Sequence, residues 1–125
     1  MNGVKVRFLN RDEIFYRLVD IAKRLLAKES NVIEVSLFGS LAKGNYTPRS
    51  DIDIFILLNE NSKKFIDRIP GFLDYFEKVG LTVEVFPYTL EEINKMKNNH
   101  FIRTIYENKI ILASRLNPNN LFLIE

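Results

Sequence analysis

Gly39-Ser40-Leu41-Ala42-Lys43-Gly44-Asn45-Tyr46-Thr47-Pro48-Arg49-Ser50-Asp51-Ile52-Asp53 is the stretch that decides how this chain folds. It follows one apolar run, Val32 to Phe38, and leads into another, Ile54 to Leu58. Glycines, a proline and hydroxyl residues between them favour turns, so the segment reads as strand, turn, strand. In an extended chain residues i and i+2 share a face. Asp51 and Asp53 are therefore expected side by side at the start of a buried strand. Carboxylates held that close repel, and one takes up a proton unless a cation lies between them. Magnesium, which commonly takes one or two carboxylates together with substrate phosphates, is the simplest cation to expect.

Working outward, Asn10 with Glu13 forms a capping-box pattern, and Ile14, Leu18, Ile21, Leu25 and Leu26 keep helical spacing. That predicts a helix over 11–28, with residues 1–9 a lead-in. Strands are expected at Val32–Phe38 and Ile52–Leu58. The second is apolar at nearly every position beyond Asp53, as in a strand covered by helices on both faces. Leu41 to Lys43 suits one helical turn closed by Gly44, followed by a loop over Asn45 to Ser50. Ser62 is a candidate cap for helical spacing that runs from Phe65 to Val79. Pro70-Gly71 predicts two helical pieces or a kink at Ile69, and Gly80 ends the second piece.

Thr82 to Phe86 reads as a third strand, with Thr82, Glu84 and Phe86 on one face and Val83 and Val85 on the other. Thr89 and Glu92 form a second capping box, opening a helix through Lys97. A short helix over Phe101 to Tyr106 and a strand over Ile110 to Ala113 follow. Leu121 to Ile124 forms an apolar tail suited to packing on the domain or on a partner. Only about a dozen residues join the first two strands, too few for an ordinary parallel crossover. The fold class is therefore α/β (α+β), with a mixed sheet of three to four strands flanked by helices.

At 125 residues the chain is the size of one domain, spanning 1–125. Absence of cysteine excludes a disulfide framework, a thiolate metal site and a cysteine nucleophile. It fits a reducing cytoplasm without requiring one. No apolar run is long enough for a membrane span. The net charge is +2, and the chain on either side of Ser62 carries nearly balanced charge. That is not the footprint of a protein that grips long nucleic acid.

Gly-Ser, ten intervening residues and then Asp-x-Asp resembles the signature of the DNA polymerase beta nucleotidyltransferase superfamily. Together with the short chain and Val83-Glu84-Val85-Phe86-Pro87-Tyr88-Thr89, it resembles the minimal nucleotidyltransferase branch, whose members often act as antitoxins to HEPN-domain toxins. The resemblance runs from about Val32 onward and implies the nucleotidyltransferase fold. It implies transfer of AMP from ATP, with magnesium, two ions in the usual mechanism, to an acceptor hydroxyl. In that branch the acceptor is a tyrosine of the HEPN partner.

Carried onto these residues, Asp51 and Asp53 would bind metal, and Glu84 would complete the site and help deprotonate the acceptor. Gly39 and Ser40 would hold the phosphates, since a strand-ending glycine lets backbone approach a polyanion closely. Glu84 stands where the family commonly has aspartate, which leaves the strength of catalysis open. Each feature also has a plainer reading. Gly39-Ser40 alone is an ordinary turn, Asp51 and Asp53 a polar strand entry, and Glu84 a strand glutamate paired with lysine. Lys43 and Arg49 are either phosphate partners or solvated. His100 reads as a surface or capping residue. Phe65, Phe72, Tyr75 and Phe76 read as core or interface, and Tyr46 and Tyr88 as half-buried tyrosines near the motif, in reach of a base or a partner.

Two other functions remain in view. One is a non-catalytic antitoxin that neutralises its partner by occlusion. The other is a transferase acting on a small molecule such as an antibiotic, which the lack of room for a second domain disfavours. Self-association and association with a partner both stay open.

Overall fold

The computed structural model describes residues 10–45, 47 and 49–116. The expectations for residues 1–9, Tyr46, Pro48 and the apolar tail at 121–124 lie outside them. Helix α1 (Arg11–Lys28) opens as its sequence demands. The Asn10 side chain accepts from the Glu13 amide at 2.8 Å, and Glu13 reaches back to the Asn10 amide at 3.4 Å. Strands β1 (Val32–Phe38), β2 (Ile52–Leu58), β3 (Val83–Thr89) and β4 (Ile110–Ser114) form one sheet in the order β3-β2-β1-β4. β1 runs antiparallel to β2 and to β4, whereas β3 runs parallel to β2, so the sheet is mixed.

The short connection after β1 holds a single helical turn, α2 (Ser40–Lys43), closed by Gly44 in the left-handed region. The longer crossover from β2 to β3 contains α3 (Phe65–Leu73) and a 3-10 helix (Asp74–Val79). Two further helices, α4 (Leu90–Lys95) and α5 (His100–Asn108), lie between β3 and β4.

Both faces of the sheet are covered. On one, Val35, Leu37, Ile52, Ile54 and Ile56 pack with Ile14, Leu18 and Leu25 of α1 and with Phe72 and Phe76. On the other, Phe38, Phe55 and Leu57 pack with Ile102 and Ile105 of α5. This explains why β2 lacks alternation: its side chains are wanted by apolar layers on both sides.

Three details differ from the sequence expectation. The two helical pieces are present, but their junction lies after Leu73 rather than at Ile69: α3 runs through Pro70 before the chain tightens into the 3-10 turn. A proline removes the bond to the carbonyl four residues back. Here that carbonyl belongs to Ile66, a residue that is 67% exposed in the first turn of the helix. The helix is capped at Lys64 rather than Ser62. β3 extends beyond Phe86 to Thr89 and includes Pro87, which a strand at the sheet edge tolerates because one side needs no ladder bonds.

The second capping box joins the crossover to the sheet. Glu92 accepts from the Thr89 amide at 2.9 Å and returns its own amide to the Thr89 hydroxyl at 3.1 Å. Arg68, which is buried, donates two bonds to the Glu92 carboxylate at 2.8 and 2.9 Å, and others to the carbonyls of Pro87 and Lys63. The hydrogen bonds from Arg68 hold the Glu92 carboxyl down at about 2.

A folded pKa below the ordinary 4.5 means stability that is present above pH 4.5 and lost as pH falls toward 2. Glu92→Gln should therefore destabilise the protein by about 1–3 kcal/mol at pH 7. It should also flatten the acid limb of a melting-temperature profile in that window.

Candidate active site

The site is assembled where three neighbouring strands begin or end. Phe38, the last residue of β1, lies opposite Asp53 of β2, and Asp53 lies beside Glu84 of β3. The cross-strand row is thus Phe38, Asp53, Glu84. Residues two further along β2 and β3, Phe55 and Phe86, continue the same face beneath α5. Asp51 lies one residue before β2 rather than within it. Ile52 between the two aspartates is fully buried, Asp53 is half-buried and Asp51 exposed, which matches the expected alternation.

Gly39 meets this row from the β1 side. Its φ of +79° with ψ of −156° lies in a region almost reserved for glycine. A Cβ placed there would sit 2.2 Å from Asp53 Oδ2. The missing side chain of Gly39 is therefore the space that the Asp53 carboxylate fills. Ser40 starts the helical turn directly after it, and no side chain caps that turn. Its far end is pinned by Arg11, whose guanidinium donates to the carbonyls of Leu41 at 3.0 Å and Ala42 at 3.4 Å.

Burial first, then the charge of Glu84, then that of Asp51, push the Asp53 carboxyl up to about 6. Asp53 therefore feels both of the other sequence-selected acids, and the glycine of the glycine-serine turn lies against it. Among the described residues no trio of acidic or histidine side chains is gathered tightly enough to cage a metal ion. The donor set is oxygen only, with a destabilised carboxylate at its centre, which is the chemistry a hard divalent cation takes. Asp51, Asp53 and Glu84 are the residues that would hold it.

Lys43 and Arg49 are exposed. Arg49 and Ser50 line a hollow with Glu77, Gly80, Leu81 and Thr82. His100 is the exposed first residue of α5, whose cap is Asn99. Tyr88 packs against Phe65 and Phe55 with ring centroids 4.7 and 6.4 Å apart, two rows below the acids. Phe72 and Phe76 are core, and Tyr75 donates to Glu29 at 2.8 Å. A hollow lined by Arg17, Asp20, Arg24, Asp74 and Glu77 lies by α1, on the opposite side of the sheet from the acid row.

Sequence reading missed two supports. Arg11 acts on a turn thirty residues away, and no local pattern announces that. The buried Glu34 accepts from Ser36 Oγ at 2.6 Å and from Lys109 Nζ at 2.5 Å, further down the α5 face. Its visible signal is an acidic residue two positions from a serine, on one face of a mostly apolar strand.

A folded pKa near 6 against an ordinary 3.8 gives Asp53 a contribution that is favourable below pH 3.8 and lost as pH rises through 6. In a chelator, Asp53→Asn should leave the melting temperature unchanged near pH 3.5. It should raise it at pH 7.5, as calorimetry would record.

Comparison with known proteins gives the family of the chain. The Nucleotidyltransferase domain family matches residues 18–112. Two proteins of Methanocaldococcus jannaschii, both carrying the name "Putative protein adenylyltransferase", are similar in sequence. One is 30% identical over 71% of this chain and 84% of its own, the other 34% identical over 63% and 76%. A Sulfolobus solfataricus crystal structure described as a "putative nucleotidyltransferase" shares the fold with a TM-score of 0.62 at 21% identity, covering 84% of each chain. So does a crystal structure of a toxin-antitoxin with AMP-PNP, with a TM-score of 0.56 at 15% identity over 93% of this chain and 82% of that one. The family match spans both motif strands and the acid-bearing third strand, and on that basis the chain belongs to the nucleotidyltransferase domain family.

Proposed function

We propose that the protein is a magnesium-dependent nucleotidyltransferase that moves AMP from ATP onto a tyrosine of a HEPN toxin partner, and so acts as its antitoxin. The observation that carries this is the seating of the Asp53 carboxylate in the space left by Gly39, with Glu84 beside it. Phosphate cradle and acids thereby form one site. The names of the two archaeal relatives support AMP as the group transferred and a protein as the acceptor. The toxin-antitoxin with AMP-PNP that shares the fold supports the partner and the nucleotide.

In this reading the backbone at Gly39 and the Ser40 hydroxyl bind the phosphates. Asp51, Asp53 and Glu84 bind magnesium, which when bound offsets phosphate charge and lowers the proton affinity of the acceptor oxygen. Glu84 takes the acceptor's proton. The acceptor oxygen forms a bond to the α-phosphorus, and the bond from that phosphorus to the bridging oxygen breaks. Pyrophosphate leaves with the electron pair, in line with the attack. Arg11 holds the turn that presents Ser40, so its part is to orient the cradle.

Incubation with the co-purifying partner, α-labelled ATP and magnesium tests this directly. Label should pass to the partner and fall by about a hundredfold or more in Asp51→Asn/Asp53→Asn. Protection of the partner without label, surviving that double substitution, would instead establish neutralisation by occlusion. Gly39→Ala should destabilise the fold by about 1–3 kcal/mol. By forcing Asp53 aside it should also weaken ATP binding about tenfold, measured calorimetrically.

A further inference from the structure

The row that carries the acids also carries an aromatic cluster with no part in the chemistry above. Phe38 stands opposite Asp53, and Phe86 stands two residues beyond Glu84 on the same face. Phe101, in the first turn of α5, closes over both. Its ring centroid is 5.8 Å from that of Phe38 and 5.4 Å from that of Phe86, and those two are 5.3 Å apart. Phe38 is buried and Phe86 partly so, as core residues should be. Phe101 is 39% exposed, at the end of the sheet face where Asp53 and Glu84 emerge. Its backbone is fixed there, since Asn99 Oδ1 accepts from the Phe101 and Ile102 amides at 2.8 and 3.2 Å.

We propose that Phe101, supported by Phe86, is a specificity-determining residue that receives the aromatic ring of the acceptor, so that a phenolic hydroxyl is presented at Glu84. The inference rests on the nucleotidyl-transfer reading and adds the acceptor's subsite to it. The direction of attack places the acceptor. With the leaving pyrophosphate at Gly39 and Ser40, an in-line nucleophile must enter from the opposite side of the phosphorus. Across the sheet that is the β3 side, where Glu84 and Phe86 lie. Phe101 reaches that side through Phe86, and its exposed ring, already packed on two others, offers a further ring the edge-to-face or offset packing that aromatic groups favour. An aliphatic hydroxyl would gain little from it. In the reaction the phenol gives its proton to the Glu84 carboxylate, its oxygen bonds to the α-phosphorus, and pyrophosphate departs with the electrons of the broken bond.

The test uses the full chain with labelled phenylalanine rings, magnesium and AMP-PNP, and follows ring signals by NMR. N-acetyl-tyrosinamide should shift the Phe101 and Phe86 signals saturably. N-acetyl-serinamide should not, and AMP-PNP alone should leave Phe101 in place. Phe101→Ala should weaken N-acetyl-tyrosinamide binding about threefold to tenfold, with AMP-PNP affinity unchanged. Phe101→Leu, which keeps apolar volume under α5, should weaken it as well and guards against a folding defect. If AMP-PNP alone moves the Phe101 ring, and Phe101→Ala weakens AMP-PNP, the ring serves the nucleobase and the proposal is overturned. It is also overturned if neither tyrosinamide nor AMP-PNP moves the ring. The Asp51→Asn/Asp53→Asn protein separates the two readings. Unchanged AMP-PNP affinity in it would sink the nucleotidyl-transfer reading itself, whereas lost AMP-PNP affinity with an unmoved Phe101 would sink only the acceptor subsite.

Discussion

A carboxylate resting in the place of a missing side chain is the constraint on which the site depends. Asp53 Oδ2 lies where a Cβ on Gly39 would have to go. Any other residue at 39 would push the carboxylate out or strain the backbone, because the φ of +79° there is nearly closed to side chains. The contact fixes the distance between a turn with uncapped amides and a row of acids. Burial and the two neighbouring acids then leave Asp53 short of compensating charge. An electrostatic deficit of this kind is what a cation relieves.

The rest of the fold holds that contact in place. β2 is covered on both faces, so the strand bearing Asp53 cannot shift register without moving two apolar layers. Arg11 ties the start of α1 to the turn after Gly39, and Arg68 with Glu92 ties the crossover to the end of β3. These two arginines act through backbone carbonyls as well as charge, which makes them positioning devices. Glu34 and Lys109 hold the corner between α5 and β4 by a buried ion pair. Pairs of that kind contribute orientation more readily than net stability.

The polar and apolar halves of the acid-bearing face divide the work. Its floor, Phe55 and Leu57 under Ile102 and Ile105, is ordinary core. Its rim changes character within two residues along each strand, from Phe55 to Asp53 and from Phe86 to Glu84. A site at such a boundary has low dielectric on one side and solvent on the other. Charge–charge interactions are strengthened there while a substrate can still enter.

Much of this was readable from residues in order. Local chemistry sufficed for the Asn10 and Thr89 capping boxes, the turn closed by Gly44 and the strands on either side of the motif, because each depends on neighbours within a few positions. The unbroken apolar run after Asp53 was enough to call for helices on both faces. The i, i+2 spacing was enough to pair Asp51 with Asp53. Tertiary structure decided what depends on distant partners. Pro70 stays within α3, which runs on to Leu73. Only the parallel register of β2 and β3 brings Glu84 beside Asp53, thirty-one positions along the chain. Phe101 and Arg11 reach the site from helices at either end of the described chain. Neither carries a local signature, since what gives each its place is packing between segments that no short window of sequence contains.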